Sequence, residues 1–194
     1  MSKKEFIILL FIAVALLTRF IFLVDGMSVL PNFTAVGAIA IFGAVHFKGL
    51  KKWIIPLVVL WASDIILNNV VYAQYYDHFQ IMGSLWVYGS FILIGLLAYF
   101  ILQKASWLRL IITAIGGGVI FFLITNFGVW LGASAPYTKD LAGLIECYTA
   151  GLPFFRNTIL ANIIYSFMLF GAYDLLASRL DSLSPYFLQK NIVQ

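Results

Sequence analysis

Six apolar runs decide what this chain can fold into. A helix needs about 20 apolar residues to cross a hydrocarbon core about 30 Å thick. Residues 6–24, 53–72, 84–103, 107–131 and 156–176 have roughly that length, and residues 32–47 form a shorter run rich in small side chains. Inside lipid each backbone N–H and C=O must find its partner within its own segment, which makes these runs helices. With 63% hydrophobic and only 10% charged residues, a soluble globule would lack polar surface. The expected fold is all-α: one transmembrane domain over residues 1–194, with six spans.

Local signals set the expected boundaries. Lys3 and Lys4 ahead of an apolar run resemble a secretory signal, but the run continues to Val24 without a small-residue cleavage site, so it reads as an uncleaved first span. Asp25-Gly26 ends it, and Pro31 opens the second, which carries Gly37, Ala38, Ala40, Gly43 and Ala44. Pro56 falls in the first turn of the third, where its missing donor does little harm. Gly116-Gly117-Gly118 in the fifth offers close helix packing. Between the fifth and sixth, Leu141, Leu144, Ile145, Tyr148 and Leu152 recur at helical spacing, and Gly151 and Pro153 read as stops. That pattern predicts a short amphipathic helix on the membrane interface. No repeat, low-complexity segment or second domain interrupts the chain.

Placing the N-terminus inside puts Lys3, Lys4, Lys48, Lys51, Lys52, Lys104, Arg109, Arg179 and Lys190 on cytoplasmic flanks, nine of twelve basic residues. Both termini are then cytoplasmic, and the protein is a multi-pass protein of the inner membrane, in contact with membrane lipid. The net charge of +4 follows from this bias rather than from a nucleic-acid surface, since no basic stripe interleaved with aromatics occurs. Cys147 is the only cysteine, so no intrachain disulfide forms.

Ionisable groups within hydrocarbon cost about 2.5–3.5 kcal/mol each and face the bundle interior with a partner. At about 1.5 Å per residue, Arg19 lies about 20 Å and Asp64 about 17 Å above the inner ends of their helices, past the midplane. Asn68 is one turn beyond Asp64. Asn32, Asn126, Arg156 and Asn162 fall near the same outer level. These seven are the candidate substrate-binding residues, because a pocket open to the outside needs polar groups only there. The competing reading is equally simple: Arg19 and Asp64 form a structural ion pair, and the asparagines join helices. Trp53, Trp107 and Trp130 suit an interfacial belt. The loop Tyr72, Tyr75, Tyr76, His78 and Phe79 suits either an interfacial loop or an aromatic lid. No catalytic set, metal-ligand spacing or cofactor motif emerges.

Pro31-Asn32-Phe33-Thr34 with Gly37-Ala38, Ser63-Asp64, Thr125-Asn126-Phe127-Gly128-Val129-Trp130 and Leu152-Pro153-Phe154-Phe155-Arg156-Asn157-Thr158 resemble an uncharacterised bacterial family of small membrane proteins. That family is similar to the S components, the substrate-binding subunits of energy-coupling-factor (ECF) transporters. The resemblance implies an S-component-like bundle that captures a vitamin-like micronutrient from outside and docks on a coupling subunit with ATPases. S components carry an Ala-x-x-x-Ala docking patch on helix 1; here that spacing occurs in helix 2, at Ala40 and Ala44. The expected function is micronutrient uptake, as an S component or a solitary relative, and not an enzyme. The alternatives are an assembly subunit contacting a larger complex through the Gly/Ala face of helix 2, and an intramembrane lipid enzyme with Glu146 or Asp64 as base.

Overall fold

A computed structural model describes residues 3–21, 23–24, 27–28, 30–133, 136–180 and 185–187. Helix α1 (Lys3–Leu16) stops short of the length its apolar run allows, and α2 (Thr18–Ile21) continues after a break at Leu17. The break has a local cause. The Thr18 hydroxyl donates back to Ala15 O (2.7 Å) and accepts the Ala35 N–H (3.0 Å), and such back-bonding bends helices. The expected end at Asp25-Gly26 lies outside the described residues. Two-residue strands β1 (Leu23–Val24) and β2 (Met27–Ser28) pair antiparallel before the chain returns.

Helix α3 (Val36–His46) has 11 residues, about 16 Å, and begins four residues later than the apolar run. Residues 32–35 are not helical, and Asn32 takes a left-handed conformation (φ 63°) that Asn tolerates better than most residues. The turn after α3 uses Gly49 at φ 59°, where a side chain would be strained. Helix α4 (Lys51–Ile66) passes into a wider π turn, Leu67–Val71, closed by Tyr72 N–H on Leu67 O (2.8 Å). Helices α5 (Leu85–Ile101), α6 (Trp107–Leu131) and α7 (Leu141–Ala177) follow.

Helix α7 corrects the expected amphipathic helix. Its 37 residues run unbroken through Gly151 and Pro153, about 55 Å of helix. Neither residue stops it, because α6 supports it along its length. Cys147 Sγ donates to Asn126 O (3.4 Å), Tyr148 OH to Leu123 O (2.7 Å), and Asn162 Nδ2 to Ala114 O (3.2 Å). Gly151 is a packing glycine: a Cβ there would meet Asn126 Oδ1 at 2.4 Å. Residues 145–155 therefore lie beside α6 instead of flat on an interface, and Arg156 sits level with the middle of α6, where Phe155 packs on Phe122 (4.6 Å).

The short α3 is the axis of the bundle and touches α1, α4, α5, α6 and α7. All of its residues except Val45 are buried. Small side chains permit this: a Cβ on Gly37 would fall 2.1 Å from Asn162 Oδ1, and one on Gly43 2.6 Å from the Pro56 ring. Ala40 and Ala44 are only 3% and 4% exposed. The Gly/Ala face of α3, the expected second span, is thus covered by the chain's own helices, which removes it both as a docking patch and as the contact of an assembly subunit.

The outside of the bundle is apolar. Phe6, Leu10 and Val14 form an exposed stripe on α1 that Leu17 at the break continues, and Leu108, Ile112, Ile115, Val119 and Leu123 form one on α6. Continuous exposed stripes of this kind mark contact with lipid or protein. Three helices, Lys51–Val71, Trp107–Leu131 and Leu141–Ala177, are long and apolar enough to cross a membrane, and α3 and α5 are shorter apolar helices. At one end, Lys51 pairs with Glu5 (2.5 Å), joining the starts of α1 and α4. Buried Asp174 accepts the backbone N–H groups of Tyr186 (2.6 Å) and Phe187 (2.7 Å), tying the segment after α7 back onto the bundle.

Candidate functional site

At the opposite end the helices part around a cavity of about 330 Å³. Every wall has a structural origin. The α1–α2 break sends Arg19 inward, and the non-helical entry to α3 supplies Asn32 and Thr34. The last turn of α4 brings Asp64 and the π turn after it Asn68, and α5 and α6 close the floor with Phe91 and Phe121, rings 5.4 Å apart. Non-helical backbone at membrane depth is tolerated where protein buries it or where it lines a wet cavity.

The loop after α4 forms the rim. Asn69 clamps it by donating to Gln80 O (2.8 Å) and accepting the Gln80 N–H (2.7 Å), while Trp61 Nε1 donates to Ile81 O (2.9 Å). The clamp lays Gly83 against Asp64, where a Cβ would meet Oδ2 at 2.6 Å. Of the aromatic loop residues, Tyr72 and Tyr76 line the cavity; Tyr75, His78 and Phe79 do not.

One ion pair holds the charges. Arg19 Nη1 lies 2.7 Å from Asp64 Oδ1, with side chains 16% and 9% exposed. The same Nη1 also donates to Ser63 Oγ, and Tyr88 OH donates to Asp64 Oδ2 (2.7 Å). Both carboxylate oxygens are thereby engaged. Ser63 and Tyr88 complete the pair: Ser63 stands out in the sequence only as the neighbour in the Ser63-Asp64 motif, and Tyr88 not at all, because it reaches Asp64 from another helix and no local pattern records that.

The seven candidate residues divide. Arg19, Asn32, Asp64 and Asn68 share the cavity. Asn162 lies beneath it, in an adjoining space of about 30 Å³ lined also by Thr34, Gly37 and Thr158, room for about one water. Asn126 and Arg156 lie elsewhere. Asn126 donates to Phe122 O (2.8 Å) and packs on Gly151, while Arg156 is exposed on the outside of α7.

The asparagines also differ in what they do. Asn69, Asn157 and Asn162 hydrogen-bond to backbone carbonyls of other elements and so join them, while Asn126 bonds one turn back within α6. Asn32, Thr34 and Asn68 make no side-chain hydrogen bond among the described residues, and all three face the cavity. Among the described residues no group of three His, Cys, Asp or Glu side chains gathers as a metal site.

A family model matches residues 1–183. The chain belongs to DUF6580, a family of unknown function. Comparison of this DUF6580 chain with curated proteins and with solved structures gives no match.

Proposed function

We propose that this DUF6580 protein captures a small solute from the outer face of the bacterial cytoplasmic membrane and serves its uptake, as an S-component-like or solitary transport protein of six spans. The observation that carries the reading is the set of hydrogen-bonding side chains without a partner among the described residues, Asn32, Thr34 and Asn68, turned into a cavity whose two charged groups are already paired with each other. A side chain that serves only to join helices would bond to a neighbouring helix, as Asn162 does to Ala114 O. The cavity's volume lies at the low end of the range of about 300–1,000 Å³ usual for small-molecule sites.

Orientation follows from charge. Lys48, Lys51, Lys52, Lys104 and Arg109 flank the helix ends remote from the cavity, a charge bias that supports reading that end as cytoplasmic and the cavity as outward-facing. With α3 enclosed, a coupling subunit would have to dock on a different surface, such as the exposed α1 stripe.

Native mass spectrometry of protein released gently from its own membranes tests the reading. The wild type should carry a bound small molecule. Asn68→Trp, which fills the cavity, should lose it, and Arg156→Gln, outside the cavity, should keep it. Equal loads on all three folded proteins, or none on the wild type, would remove the proposal.

A further inference from the structure

The charge balance of the cavity says what kind of solute it takes. Among its described lining residues Arg19 is the only cation and Asp64 the only anion, and they face each other at 2.7 Å. Neither is an open receptor. An anion approaching the guanidinium also meets the Asp64 carboxylate beside it, and a cation approaching Asp64 meets Arg19. A net charge taken from water into this space would find no uncommitted counter-charge, and an unpaired charge out of water is strongly disfavoured. Asp77 and His78, the next titratable side chains along the rim loop, do not line the cavity.

What the cavity does offer is uncharged. The amides of Asn32 and Asn68 and the Thr34 hydroxyl each donate and accept, and none has a protein partner among the described residues. Phe91 and Phe121 add an apolar floor to the same lining.

We infer that the site selects solutes of zero net charge, with amide, hydroxyl or ring-nitrogen groups along one edge and an apolar or ring face against Phe91 and Phe121. The Arg19–Asp64 pair acts as the charge filter. This rests on the solute-capture reading above, and the test separates the two.

Purified protein is incubated with a defined equimolar mixture of small polar metabolites, in equal parts uncharged, anionic and cationic at neutral pH. It is then washed, and its bound fraction is identified by chromatography and mass spectrometry. The wild type should enrich uncharged members at least about tenfold over charged ones, a difference of about 1.4 kcal/mol. Asp64→Asn leaves Arg19 unbalanced and should shift retention towards anions; Arg19→Gln should shift it towards cations. The double variant is neutral again and should return to uncharged solutes, which keeps the test decisive if either single variant fails to fold. A wild type that enriches a charged class, or a folded double variant that does, overturns the charge filter and leaves solute capture standing. A wild type that retains nothing overturns solute capture and the filter with it.

Discussion

At the scale of single residues, the ion pair sets both the stability and the chemistry of the site. Removing one member of a buried pair leaves an uncompensated charge and costs about 3–5 kcal/mol, whereas removing both leaves none. Asp64→Ala should therefore lower the melting temperature markedly in detergent, and Arg19→Ala/Asp64→Ala should recover much of the loss. A double variant as unstable as the sum of the singles would show that the two side chains do not act as a pair. Arg19 and Asp64 were legible in the sequence because charge inside an apolar run is costly and therefore conspicuous. Which asparagines bond to neighbouring carbonyls and which face open space was not legible. Asn68 and Asn69 are adjacent and chemically identical, and only the π turn and the Gln80 clamp send one into the cavity and the other to the loop.

At the scale of elements, apolar run length located the helices but not their internal joints. Gly151 and Pro153 carry the local signature of a stop, yet α6 lies along α7 and supports it through Tyr148, Cys147 and Asn162. The reverse happened in the first run, where nothing apolar is missing at Leu17 but the Thr18 hydroxyl divides the helix. The start of α7 makes a separate prediction. Asp140 caps it by accepting the Gly143 N–H (2.8 Å) and the Thr138 hydroxyl (2.7 Å), which hold its carboxyl below the usual range. A carboxyl with a depressed folded-state pKa stabilises the fold above its unfolded pKa and loses that contribution as pH falls through the folded value. The melting-temperature gap between wild type and Asp140→Ala should therefore be open at neutral pH and close below about pH 4, near the ordinary Asp value. A gap unchanged at pH 3 would mean that the carboxylate charge is not what caps the helix.

At the scale of the whole molecule, the bundle is organised around a helix too short to span. Because α3 covers only about 16 Å, the space beyond its N-terminus is left to the non-helical residues 32–35, and the cavity occupies it. The small residues of α3 looked like a surface for a partner; they are the reason five helices can approach one axis. Their destination depends on which helices surround them, and helix order around an axis leaves no periodic trace in a sequence. For this space to serve uptake, water and solute must reach it from outside the cell. Because Cys147 is the only cysteine, a Cys147→Ala background carrying Thr34→Cys presents a single thiol in the cavity. A membrane-impermeant thiol reagent applied to intact cells should label that cysteine. Labelling only after the cytoplasmic face is exposed, or no labelling in either orientation, would contradict an outward-open site.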